Sequence, residues 1–155
     1  MSSTLSTPSD DTLTVPAQLD QLRTVTQFIG GAASRVGFSG AQLSRIELAV
    51  DEACSNIIQH AYEGRDDGHI RVGVRAEPGR RIIISFDDTG KPFDPDLVPD
   101  HDPSSTTTLD DLKVGGLGIY LMRQAMDEIR FEFGMIQRVA GKTIRFNRLT
   151  MVKNL

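Results

Sequence analysis

Residues 69–88 constrain this chain more than any other stretch. "HIRVGVRAE" (69–77) alternates Ile70, Val72 and Val74 with polar partners, the period of a half-buried strand. "PGR" (78–80) supplies a turn, and "RIIISFDD" (81–88) follows as a run apolar enough to be buried on both faces. Two strands joined so tightly pair antiparallel. Any fold for this chain must therefore contain an antiparallel hairpin whose second strand sits near the centre of a sheet.

The rest of the chain dresses that hairpin. "TLTVPA" (12–17) alternates briefly and meets a proline, so it reads as a strand entering a turn. Leu19, Leu22, Val25, Phe28 and Ile29 recur at spacings of three and four, which predicts a helix over 19–36, punctuated by Gly37 and Gly40. A second helix is predicted over 39–64, with Ser39 as N-cap, Gly64 at its close and Ile46, Val50, Ala53 and Ile57 on its inner face. A glycine-rich turn opens a third helix at 115–129, and strands at 129–136 and 142–152 complete the chain. The order is β-α-α-β-β-loop-α-β-β. It predicts an α+β fold: a two-layer α/β sandwich with a mixed, mostly antiparallel sheet and the helices on one face. A chain of 155 residues can bury one core of its own. Residues 1–10 read as a flexible tail and 11–155 as the domain.

Composition excludes some functions. The net charge is −4 and no long basic run occurs, which disfavours direct nucleic-acid binding. No apolar stretch reaches the length of a membrane span, and "MSSTLSTPSDD" lacks the basic and apolar regions of a secretory signal, so a cytoplasmic address with no membrane association is expected. The single thiol, Cys54, cannot form an internal disulfide and reads as a small buried residue.

Four stretches carry chemistry, and each has an ordinary alternative. Glu52 and Asn56 are four apart, so they share one helix face beside the apolar stripe. A carboxylate there can take a proton and an amide oxygen can ligate a hard cation, although such a pair also arises by chance on solvated helices. "DDTG" (87–90) places Asp88 at a strand end, where an acceptor-only side chain suits an exocyclic amine and Gly90 lets the backbone approach a flat ring; it is equally a common turn. "GGLG" (115–118) opens a helix with Gly115, Gly116 and Gly118, a backbone suited to phosphate or to a plain hinge. It lacks the G-K-[ST] of a Walker loop. Residues 91–114 hold Lys91 and Lys113 as their only cations within an acidic, proline-rich segment, either a lid over a ligand or an insertion.

In combination, "ELAVDEACSNIIQHAY", "ISFDDTGKPFDP" and "GGLGIYLMRQAMDEI" resemble the N, G1 and G2 boxes of the GHKL (Bergerat-fold) ATPase superfamily, and within it the anti-sigma factor serine kinases. The phrases E-A-x-x-N, G-x-P-F-D-P and M-D-E-[IV] carry the closer likeness, which spans residues 12–153. The resemblance implies ATP and Mg²⁺ as cofactors. It makes Glu52 the catalytic base, Asn56 the Mg²⁺ ligand and Asp88 the reader of the adenine amine. It sets Gly90 beneath the ring, Gly115, Gly116 and Gly118 at the phosphates, and Thr150 in "NRLT" on a late strand facing the adenine. It implies a STAS-domain anti-anti-sigma protein as substrate, a sigma factor as the regulated partner, and a homodimer as a candidate assembly. Pro92 replaces the second glycine of the D-x-G-x-G form. Two other readings compete: a non-catalytic nucleotide-binding partner-switch module, for which Glu52 would be superfluous, and a histidine kinase domain, disfavoured because no histidine precedes His60.

Overall fold

The computed structural model describes residues 10–65, 67–92 and 116–155. Within these residues five strands form one sheet in the order β1-β2-β3-β5-β4: β1 (Asp11–Pro16), β2 (His69–Glu77), β3 (Arg81–Asp88), β4 (Glu128–Val139) and β5 (Lys142–Asn154). The apolar run of β3 occupies the middle place that its composition predicts. All four pairings are antiparallel, so the sheet is not mixed. β5 rather than β4 lies beside β3, because the chain crosses to the sheet edge as β4 and the hairpin folds β5 back inside it.

Among the described residues three α-helices cover one face: α1 (Leu22–Val36), α2 (Gly40–Asn56) and α3 (Gly116–Ala125). α1 turns in Val25, Ile29, Ala32, Ala33 and Val36, and α2 turns in Ile46, Ala49, Val50, Ala53 and Cys54. They meet Ile82, Ile84 and Phe86 of β3 in one core. Phe86 is wholly buried, so its truncation to Ala would cost about 3–5 kcal/mol. Among the described residues no helix is long and apolar enough to cross a membrane.

The boundaries shift where tertiary bonds compete with local pattern. Residues 19–21 form a 3₁₀ turn before α1 begins. Ser39 stands at the N-cap of α2, but its side chain makes no capping bond. The second helix keeps α geometry only to Asn56 and widens into a π-helical turn at Ile57–Ala61. α3 stops at Ala125, short of residue 129, because the N–H of Asp127 is taken by the carbonyl of Val152 at 2.8 Å and the chain joins the sheet. Just before β1, the Asp10 N–H bonds the Val74 carbonyl at 2.9 Å. Residues 1–9 and the expected lid from 93 to 114 lie outside the described residues.

Candidate functional site

The end of α2 carries the first half of the site. Glu52 and Asn56 project one turn apart, flanked by the buried Ala53 and Ile57. The first turn of α3 lies against them. A Cβ on Gly118 would fall 2.6 Å from Oε2 of Glu52 and 3.2 Å from Nδ2 of Asn56, so glycine alone leaves room for both side chains. Burial, and then the neighbouring Asp51 carboxylate, push the Glu52 carboxyl above its ordinary value. Asp51 is itself held from α1, by Thr26 Oγ1 at 2.5 Å. Nδ2 of Asn56 is buried without a hydrogen-bond partner among the described residues, where such atoms are ordinarily paired. The Asn56 amide and the Glu52 carboxylate are oxygen donors of the kind a hard cation accepts.

The second half comes from the sheet. Asp88 ends β3, buried, on the helix-covered face. Its Oδ1 accepts the Gly90 N–H at 2.9 Å and an Asn147 Nδ2 hydrogen at 3.0 Å. Asn147 spends its other amide hydrogen on the Gly90 carbonyl at 3.0 Å and accepts the Gly134 N–H at 3.3 Å. These bonds lock the amide in one orientation. Both bonds to Asp88 fall on Oδ1, which leaves Oδ2 as its free acceptor among the described residues. Burial raises the Asp88 carboxyl, opposed by the bonds from Asn147 and Gly90. Between the two halves lies a largely apolar cavity, lined among others by Asn56, Ala61, Asp88, Met122, Phe131 and Asn147. Flat apolar walls with one polar edge suit a planar heterocycle bearing a donor.

The profile of the histidine kinase-like ATPase domain matches residues 15–148 of this chain. The chain belongs to that family. Serine-protein kinase RsbW of Bacillus subtilis (strain 168) is 36% identical over 141 residues, spanning 86% of this chain and 81% of the relative. Serine-protein kinase RsbW of Bacillus pumilus (strain SAFR-032) is 34% identical over 137 residues, spanning 86% and 82%. Among solved structures, the histidine kinase domain from Erythrobacter litoralis EL346 blue-light activated histidine kinase shares 18% identity at a TM-score of 0.42, over 88% of this chain and 61% of that one.

Within this histidine kinase-like ATPase domain, Asn56 and Asp88 line one cavity, and Gly118 lies against both Glu52 and Asn56. Gly116 opens α3, and Gly115 lies outside the described residues. Packing by itself calls for glycine at 90: a Cβ there would meet the Ala61 carbonyl oxygen at 2.5 Å. Thr150 is a correction. It pairs with Ser85 and Arg130, three residues from Asn147, and strand alternation turns it to the sheet face away from Asp88. The β5 residue that faces Asp88 is Asn147, its register partner. Nothing local in "RFNRLT" marks Asn147, since the register of β3 on β5 decides which residue is presented.

The paired acids of "DDTG" also divide. Asp87 points to the opposite face and forms a two-point ion pair with Arg148, Nε to Oδ1 at 2.7 Å and Nη2 to Oδ2 at 3.0 Å. With side chains only 12% and 5% exposed, that pair holds β3 to β5 directly behind the Asp88–Asn147 pair.

Proposed function

We propose that this domain is a protein serine kinase of the anti-sigma-factor type. It binds Mg·ATP, phosphorylates a serine of a STAS-domain anti-anti-sigma protein, and thereby regulates a sigma factor by partner switching. The observation that carries the reading is Glu52: a carboxylate with a raised pKa, pressed against Gly118 beside Asn56, which lines the Asp88 cavity. A module that only bound nucleotide would have no use for a base there. The name serine-protein kinase on the curated relatives supports the same reading.

On this reading Asp88 Oδ2 accepts a hydrogen from the adenine N6 amine, while Asn147 holds the carboxylate still. The apolar wall of Met122 and Phe131 receives the ring and excludes water. The backbone N–H groups of the first turn of α3, at Gly116 and Gly118, face the phosphates, and the helix N-terminus favours their charge. Asn56 would hold Mg²⁺ through its amide oxygen, and its buried Nδ2, which lacks an acceptor among the described residues, would donate to a phosphate oxygen. When bound, the cation neutralises charge on the phosphate oxygens. Glu52 takes the proton of the substrate serine as the serine oxygen bonds to the γ-phosphorus. The bond from that phosphorus to the β–γ bridging oxygen breaks, and ADP leaves.

Incubation with labelled ATP and a purified STAS-domain partner tests the proposal. Label should appear on a partner serine with the wild type and not with Glu52→Ala. Nucleotide-dependent partner binding without transfer by the wild type would replace the kinase with the partner-switch module.

A further inference from the structure

The turn that carries Asp88 is held from two sides: Asn147 of β5 donates to the Gly90 carbonyl, and the end of the helical segment after α2 takes the rest. β3 ends at Asp88, and the next three residues are secured to the end of the π-helical turn that follows α2. The Thr89 N–H donates to Tyr62 Oη at 2.9 Å. Gly90 packs so closely on Ala61 that no Cβ fits between them. The Lys91 N–H donates to the Ala61 carbonyl at 2.7 Å. Tyr62 Oη in turn donates its proton to the His69 carbonyl at 2.7 Å, at the start of β2. The ring is fixed as well as the hydroxyl. Tyr62 is 3% exposed, and a Cβ on Gly68 would fall 2.5–2.6 Å from three of its ring atoms.

We infer that Tyr62 is a positioning residue for base recognition. Its hydroxyl ties the end of the helical segment bearing Glu52 and Asn56 to the turn bearing Asp88, and so sets where the base-reading carboxylate stands relative to the phosphate end of the site. The inference rests on the proposed nucleotide-binding reading. Tyr62 touches neither base nor phosphate. A phenol does this work because it can accept from one strand end and donate to another at the same point, and the long rigid ring delivers that point across the gap from the π-turn. Without the hydroxyl, the Thr89 N–H and the His69 carbonyl lose this partner, and the turn keeps only its bonds to Asn147 and Ala61 to hold Asp88 in place.

The test uses the full chain and two nucleotides that differ at the base. Mg·ATP presents the N6 amine to Asp88, whereas Mg·ITP presents a carbonyl oxygen in its place. Calorimetry on the wild type should show a clear preference for Mg·ATP. Tyr62→Phe, which keeps the ring on Gly68, should weaken Mg·ATP by about three- to tenfold and leave Mg·ITP nearly unchanged, so that the preference shrinks by the same factor. A variant that loses affinity for both nucleotides equally, or for neither, overturns the inference: Tyr62 would then support the fold alone. Should Tyr62→Phe fail to fold, Gly68→Ala displaces the ring with the hydroxyl intact and should shrink the preference likewise; an unchanged preference there overturns it too. A wild type that binds neither nucleotide removes the nucleotide-binding reading, a failure distinct from an unchanged preference in the variants.

Discussion

Nδ2 of Asn147 lies 3.0 Å from Oδ1 of Asp88, across two strands whose residues are 59 apart in the chain. The contact leaves Asp88 rigid, buried, and with one oxygen to offer. Asp88→Asn would keep Oδ1 for Asn147 and Gly90 and turn an NH₂ toward the ligand, donor against donor. Affinity for adenine nucleotides should fall by about 10- to 100-fold, the range for losing a hydrogen bond to a charged group. Stability should move the other way. The Asp88 pKa is raised in the folded state, so the group's contribution to stability is full below its unfolded pKa and is lost as pH rises through the folded value. At neutral pH the ligand-free variant should therefore melt higher than the wild type, and its advantage should shrink on acidification. Calorimetry and thermal melts at several pH values check both halves; a variant that binds ATP normally would end the assignment of Asp88.

Glu52 and Asn56 should fail differently when removed. Glu52→Ala should leave Mg·ATP binding nearly intact and slow phosphoryl transfer by about two to four orders of magnitude. Asn56→Ala should damage both, since a metal ligand serves the ground state as well. In the wild type, the acid limb of the transfer rate should lie at higher pH than an ordinary glutamate would give, because burial and Asp51 hold the Glu52 proton. Equal transfer rates in Glu52→Ala and the wild type would show that some other group is the base.

Two glycines invite opposite outcomes. The Gly90 Cβ position meets backbone, the Ala61 carbonyl, which cannot yield cheaply. Gly90→Ala should cost about 1–3 kcal/mol of stability. At Gly118 the obstacles are the far ends of the Glu52 and Asn56 side chains, at 2.6 and 3.2 Å, and the nearer, Glu52, can swing away. Gly118→Ala should hold or raise the melting temperature, as alanine favours a helix, while transfer drops roughly tenfold or more through displacement of the base. Melting curves and single-turnover transfer on the two variants separate the cases, and a stable, fully active Gly118→Ala would remove Gly118 from the site.

Cys54 should be inert. The thiol is 1% exposed, and burial, followed by the Asp51 charge, pushes its pKa up to about 12. Thiolate is the reactive form. The native protein should resist Ellman's reagent at pH 8, and the urea-unfolded chain should react at once. Rapid labelling of the native state would mean that α2 opens readily.

Period and motif are local properties, and they determined a good deal here. Alternation of Ile70, Val72 and Val74, followed by the apolar run of Ile82 to Phe86, set the β2–β3 hairpin with both boundaries as observed, because neighbours along a strand report directly on which face is buried. Helical spacing likewise put Glu52 and Asn56 on one face before any fold was known. The sequence alone could not say which residue of β5 would stand opposite Asp88. A step of one residue exchanges the two faces of a strand, so the choice between Thr150 and Asn147 belongs to the β3–β5 register. The role of Gly90 against Ala61 and the bridge made by Tyr62 were decided in the same way. Each depends on atoms about 27 or more residues apart being brought within bonding distance, and only the packed helix and sheet layers settle such distances.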